Sequence, residues 1–368
     1  MLNRTSRRAV VSLPVAALLL AACAQQATTN PNDPATYTVL VGGSAGTDPG
    51  AAAGAQGRWQ LNKYYPSTLT VNEGDTVVWA QSTAEPHTVT FLDANQAPPA
   101  LIVPENDSSM ARIVINPLAS RPAGASTYNG TGFHNSGWMT LQAPDPREYR
   151  LTFTKAGTYH YLCLLHGAKA PDGTLIGMAG TVVVNPKGTA RAQTPAQVQT
   201  AAAAQVTTDQ AAAVALDATA MQRPADTPNA GGGTNHHVNV GYSQTDYDLM
   251  RFVPTNLTIK VGDTVTFTNR SEHAPHTVTF PAGTPEPAFE LREQTSAGTL
   301  LVINPLVLGP AGGTSFSGGA YTNSGVLSGA MDQGVHEYRL TFTKAGTYEY
   351  VCAVHAMIGM RGTITVTQ

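Results

Sequence analysis

The stretch Tyr348–Gln368, YEYVCAVHAMIGMRGTITVTQ, decides the fold. Its flanks alternate apolar with polar or small residues, the period of two expected of half-buried strands. Between the flanks, Cys352, His355 and Met360 stand as Cys-x2-His-x4-Met at the mouth of a strand. A thiol, an imidazole and a thioether so close together offer a metal three donors. A lone cysteine of this kind reads equally well as a small buried hydrophobe.

Working outward, the arrangement occurs twice. EYRLTFTKAGTY spans Glu148–Tyr159 and again Glu337–Tyr348, and PHTVTF starts at Pro86 and at Pro275. INPL recurs from Ile115 and Ile303, and NSG from Asn135 and Asn323. His87 and His276, Cys163 and Cys352, and His166 and His355 are each offset by 189 positions. A period this long marks a duplicated domain rather than a solenoid unit. Each copy therefore holds one candidate set: His87, Cys163, His166 and Met178, then His276, Cys352, His355 and Met360. These soft and borderline ligands suit copper, and a His2Cys plane with a weak axial Met serves one-electron transfer.

At these residues the chain resembles the cupredoxins, the plastocyanin, azurin and pseudoazurin family. The resemblance implies an all-β chain of two tandem Greek-key β-sandwich domains, with two coppers per chain, one in each domain. HAMIGM is similar to the pseudoazurin and plastocyanin loops, whose axial Met stands five residues after the His. Met357 is a competing axial candidate; Met360 is preferred because the first copy also ends in Ile-Gly-Met. The first site departs from the pattern, with eleven residues between His166 and Met178 where the second has four. Pro171-Asp172-Gly173 reads as a turn inserted there. Met178 reaches the metal if Ile-Gly-Met keeps its place; otherwise the site loses its axial ligand or recruits another. The FHNSG and YTNSG segments resemble a structural turn of plastocyanin-like proteins, packed beneath the copper loop. His134, His160, His236, His237, His273 and His336 stay outside the ligand sets.

The chain of 368 residues divides on this reading into a signal peptide (1–22), a tether (23–35), a first domain (36–187), a linker (188–234) and a second domain (235–368). Basic Arg4, Arg7 and Arg8 precede an apolar run that is too short to span a bilayer, the layout of an export signal. Leu20-Ala21-Ala22-Cys23 resembles a bacterial lipobox, which implies lipidation of Cys23 and anchoring to a membrane on the periplasmic or outer side. Ser6-Arg7-Arg8 also leaves a twin-arginine route open. The linker is rich in Ala, Gln and Thr; its alanines permit a helix over about 195–221, but without an apolar stripe a mobile segment is expected. Charged residues make up 12% and the net charge is −3, so no basic field exists to attract nucleic acid.

Two-domain cupredoxins include copper enzymes, which add histidines in His-x-His pairs and immediately before the Cys. Leu162 and Val351 occupy the latter place here. The expectation is therefore an electron carrier between a redox donor and acceptor, not an enzyme. Copper storage or delivery is the alternative reading, and a two-domain copper oxidoreductase a further one. The long stretches before Asn135 and Asn323 either cover the sites or form a partner surface.

Overall fold

The computed structural model describes residues 30–47, 57–107, 110–229 and 231–368. The proposed signal peptide and Cys23 lie outside them. Each copy folds as a sandwich of two sheets. In the first, Trp59–Tyr65, Thr36–Ala45, Thr76–Gln81, Glu148–Phe153 and Thr127–Tyr128 lie side by side in one sheet. Thr68–Asn72, Leu175–Asn185, Gly157–Lys169, Thr90–Phe91, His134–Ser136 and Pro122–Ala123 form the other. Thr36–Val41 pairs in parallel with Thr76–Gln81, so the chain crosses between the sheets, and consecutive strands are not simply neighbours. The second copy repeats both sheets, with Thr234–Gln244 parallel to Thr264–Asn269. This is the all-β, Greek-key arrangement expected.

Alternation in the strands explains the cores. In Thr36–Ala45, Tyr37, Val39 and Val41 face inward and are buried. They meet Trp79, Phe91, Phe153 and Tyr161 from the two facing sheets. Val238, Val240, Phe267, Phe280, Phe342 and Tyr350 do the same in the second copy. Trp79 meets Tyr161 edge-on at 5.3 Å and Phe267 meets Tyr350 edge-on at 5.5 Å, while Phe280 stacks on Tyr350 at 5.1 Å. The Cys and Met candidates sit inside these clusters.

The two sandwiches share backbone. Trp59–Leu61 pairs antiparallel with Tyr247–Leu249, which makes one eleven-stranded sheet across both domains. The long stretches that precede the Asn-Ser-Gly turns each fold into a hairpin, Ile102–Asp107 with Met110–Ile115 and Glu290–Thr295 with Gly298–Ile303. These hairpins do not stay within their own domains. Val114 pairs with Val302, so they join edge to edge into a four-stranded sheet. Val114 and Val302 each precede an Ile-Asn-Pro-Leu segment, and Gln60 and Asp248, paired at the other seam, each stand six residues before a proline. Like therefore pairs with like at both seams, the signature of an internal two-fold axis. Arg292 grips Asp145 with two nitrogens at 2.6 and 2.8 Å, and Arg121 Nε donates to Thr299 O, from one domain to the other.

One expectation needs correcting. The 188–234 linker, expected to be mobile, contains the α-helix Pro195–Ala215. Thr194 caps it, accepting from Gln197 N while the Gln197 side chain accepts from Thr194 N, and Pro195 starts the first turn. Its buried face is carried by Val198, Ala202 and Ala213, of which the alanines pack with Trp59, Tyr65, Leu249 and Val253. Alanines let the helix come close to aromatic rings but leave no apolar stripe to read, which is why the pattern looked structureless. Asp209 on this helix accepts from Tyr65 Oη of the first domain and Tyr247 Oη of the second, both at 2.9 Å. The helix clamps the seam. The last part of the expected tether is also held, since Ala35 N donates to Asp75 Oδ1 and Arg191 donates to Asp33 O.

Candidate metal centres

Each site begins with a histidine held by a short backbone bridge. His87 N donates to Met139 O, and Met139 N returns the bond at 2.9 Å. His276 and Leu327 do the same in the second domain. Cys163 and His166 lie within the strand Gly157–Lys169, whereas Cys352 and His355 follow the strand Gly346–Val351. Cys163 Sγ lies 3.8 Å from His87 Nδ1 and 3.6 Å from His166 Nδ1. Cys352 Sγ lies 3.6 Å from His276 Nδ1 and 3.5 Å from His355 Nδ1. All six residues come together, three in each cluster.

The methionines occupy matching places. In the second domain Val351 pairs with Arg361, and in the first Leu162 pairs with Ala179. Met360 and Met178 each stand one residue before that partner, opposite the loop that carries Cys and His. Both are buried. The seven extra residues of the first site do not displace Met178. They lengthen the hairpin beyond it, with Gly167 opposite Gly177 and a turn at Asp172-Gly173. In the second site a single 3-10 turn, Ala356–Ile358, and left-handed Gly359 close the same gap. Cys352 N then donates to Met360 O at 3.0 Å. Met357, the competing axial candidate, is 44% exposed.

Residues around the donors fix them. Thr88 N points at Cys163 Sγ at 3.4 Å, and Thr277 N at Cys352 Sγ at 3.3 Å. Thr88 Oγ1 accepts from Leu164 N, and Thr277 Oγ1 from Ala353 N, which ties the first histidine strand to the cysteine loop. The chain of contacts continues from Thr88 through Thr90 to Asn135, whose amide donates to three carbonyls, of Leu118, Ala119 and Arg121. Asn323 repeats this role in the second domain. The Asn-Ser-Gly turns thus brace the sites from behind, as their resemblance to a structural turn implies.

Two glycines escaped the sequence reading. Gly42 and Gly241 sit in bulges of the first strands with φ of +74° and +68°. A Cβ on Gly42 would lie 2.6 Å from His87 Nε2, and one on Gly241 would lie closer still to His276 Nε2. The signal was available in the paired Val-Gly steps of TVLVGG and HVNVGY. At the second site Ser271 Oγ lies 2.9 Å from His276 Nε2.

A further residue was also missed. Glu85, 5% exposed, places Oε1 3.6 Å from His166 Nε2 and 3.9 Å from His355 Nε2, one histidine from each domain. The sandwiches are therefore docked with their ligand histidines facing each other.

The electrostatics favour thiolates. Burial pushes the Cys163 and Cys352 thiols up, yet the histidines beside them hold both well below the usual thiol range. Burial opposes charge on His166, but the Cys163 sulfur and the Glu85 carboxylate outweigh it and lift the ring to about 10. His355 is raised in the same way, against burial, by Cys352 and Glu85. For His87 and His276 burial wins and both are lowered. Glu85 is held at about 2, because His166, His355 and His87 overcome its burial.

A two-domain β-sandwich with paired His2Cys clusters defines a class of metal-binding protein, and the comparisons narrow it. The family model for copper binding proteins of the plastocyanin/azurin family matches residues 54–185 and again 236–367. The chain belongs to that family. It is 33% identical to amicyanin of Paracoccus denitrificans over 143 residues, 39% of this chain and 76% of the relative. It is 33% identical to plastocyanin of Nostoc punctiforme over 141 residues, 38% of this chain and 78% of the relative. Among solved structures, the Cu(I) form of an amicyanin point variant is 29% identical, covering 39% of this chain and 95% of that one at a TM-score of 0.22.

The donors fit copper. Bonds of about 2.0 Å to nitrogen and about 2.3 Å to sulfur, meeting at roughly 100–120°, separate the donor atoms by roughly 3.1–3.7 Å. The sulfur–nitrogen separations here run from 3.5 to 3.8 Å, and His276 Nδ1 and His355 Nδ1 are 3.1 Å apart.

Proposed function

We propose that this chain is an exported, lipid-anchored electron carrier with one blue copper centre in each of two domains, 36–187 and 235–368. The observation that carries the reading is the duplicate cluster, in which two Nδ1 atoms and one Sγ converge at metal-ligand spacing in each domain. Copper in such a site supplies a one-electron couple that needs little change of coordination. The residues do the rest. His87, Cys163 and His166, and His276, Cys352 and His355, would hold the metal, the two cysteines would give the short covalent path for the electron, and Met178 and Met360 would be the additional sulfur donors. The N–H groups of Thr88 and Thr277 point at the sulfurs, where they stabilise thiolate charge and so adjust the reduction potential.

Full burial of both cysteines supports retention of copper over its exchange, and hence electron transfer over storage or delivery. The leader supports export, with Cys23 as the site of lipidation and the membrane as its anchor. The redox donor and acceptor are proteins that meet a near-neutral surface, given a net charge of only −3.

The test is the copper content and visible spectrum of the chain expressed without residues 1–23. Two coppers with an intense thiolate-to-copper band are expected. Cys352→Ser should halve both and leave the first centre unchanged. A colourless, copper-free protein would sink the reading. For the anchor, Cys23→Ser in the full chain should move the protein from the membrane fraction to the soluble fraction.

A further inference from the structure

The two clusters share one charged neighbour. Glu85 stands two residues before His87, yet its Oε1 faces the outward ring nitrogens of His166 and His355 at 3.6 and 3.9 Å. Both rings turn Nδ1 toward a cysteine sulfur, so the nitrogen facing Glu85 is the one left free when a metal is bound. The carboxylate is held in place through its backbone. Gln81 Nε2 donates to Glu85 O at 2.6 Å and to Thr83 O at 2.8 Å. Oε2 is buried and accepts no hydrogen bond from a protein group. The second domain has no equivalent, because Ala274 stands before Pro275 where Glu85 stands before Pro86. Asp248, the nearby carboxylate of the same cleft, is already engaged by Asn62 Nδ2 at 2.7 Å and by Ser243 Oγ.

We infer that Glu85 is a charge-setting residue for both centres at once, so that one side chain of the first domain governs the reduction potential of the second. This rests on the copper reading above. The physics is direct. A buried carboxylate one imidazole away from a metal is poorly screened by water or salt. Its negative charge favours the more positive metal state, and removing it favours the reduced state. At 3.6 and 3.9 Å the carboxylate is beyond hydrogen-bond distance of the two rings, so it acts on them through its charge.

The experiment uses single-centre chains. Cys163→Ser leaves only the second domain's centre, and Cys352→Ser only the first. Glu85→Gln, equal in size and without charge, is introduced into each, and the midpoint potential is measured by redox titration of the blue band. We expect the reduction equilibrium to shift at least threefold toward the reduced state in both backgrounds, about 28 mV for a one-electron couple. A shift confined to the first domain's centre would overturn the inference and make Glu85 a local residue. Glu85→Asp, which keeps the charge, separates charge from packing: its potentials should stay nearer the parent than those of Glu85→Gln. Equal shifts in both variants would make the effect one of packing and also overturn it. If neither single-centre chain takes up copper, the proposed function fails and takes this inference with it. Copper uptake with an unmoved second centre sinks the inference alone.

Discussion

At the scale of single residues, the sites depend on what is missing as much as on the ligands. Gly42 is needed because the chain turns through a positive φ there and the His87 ring occupies the space of a side chain. An alanine would combine a strained backbone, of roughly 1–2 kcal/mol, with a clash in a packed core. We predict that Gly42→Ala lowers stability by about 2–4 kcal/mol and displaces His87, read as loss of the first domain's blue band while the second persists. The ligands themselves were legible because Cys, His and Met at recurring spacing have few bland explanations. Gly42, within a run of glycines and alanines, stands out only when the two repeats are set side by side and its Val-Gly step matches that of Gly241. Glu85 was hidden for a different reason. Its partner His355 is 270 positions away, and only the docking of the two domains brings them together.

At the scale of elements, the strands could be read and the helix could not. EYRLTFTKAGTY alternates cleanly, and both copies form the strands expected. Pro195–Ala215 carries its contact on alanine, so its amphipathic character is one of size rather than hydropathy. Thr194 and Gln197 were the readable clue, a capping box immediately before the alanine run. The helix is held to the seam by Asp209, which accepts from Tyr65 and Tyr247 and lies 3.2 Å from Lys63. Asp209→Ala gains a few tenths of a kcal/mol in helix propensity. It loses two charge-assisted hydrogen bonds of about 1.5–3 kcal/mol each, discounted because the group is partly exposed. The net expectation is a loss of about 1–3 kcal/mol in urea unfolding, with faster proteolytic cleavage inside 195–215. Unchanged protection of that segment would show that the alanine face alone holds the helix.

At the scale of the molecule, the two hairpins before the Asn-Ser-Gly turns join one domain to the other. Sequence could not assign them because each one's hydrogen-bond partner lies in the other repeat. Val114, Leu300 and Val302 close this junction in a small apolar cluster. A charge placed there has no partner, and its burial costs about 2–4 kcal/mol. We predict that Val114→Asp separates thermal unfolding into two transitions where the parent shows one, with both blue bands retained below the first. A single transition at lower temperature would mean that the eleven-stranded sheet and the helix suffice to keep the halves cooperative.

The pairing of like with like has one more consequence. A dimer of identical subunits arranged about this axis would have to carry every side chain twice, and a glutamate at the position of Glu85 would share the cleft with its own copy, two like charges in one place. A single polypeptide is free of that rule. Its first half has glutamate and its second half alanine, so a single carboxylate stands between the two His2Cys clusters. Covalent joining also removes dilution as a variable: the spacing between the two centres is the same at nanomolar as at millimolar protein, which no dissociable pair can offer.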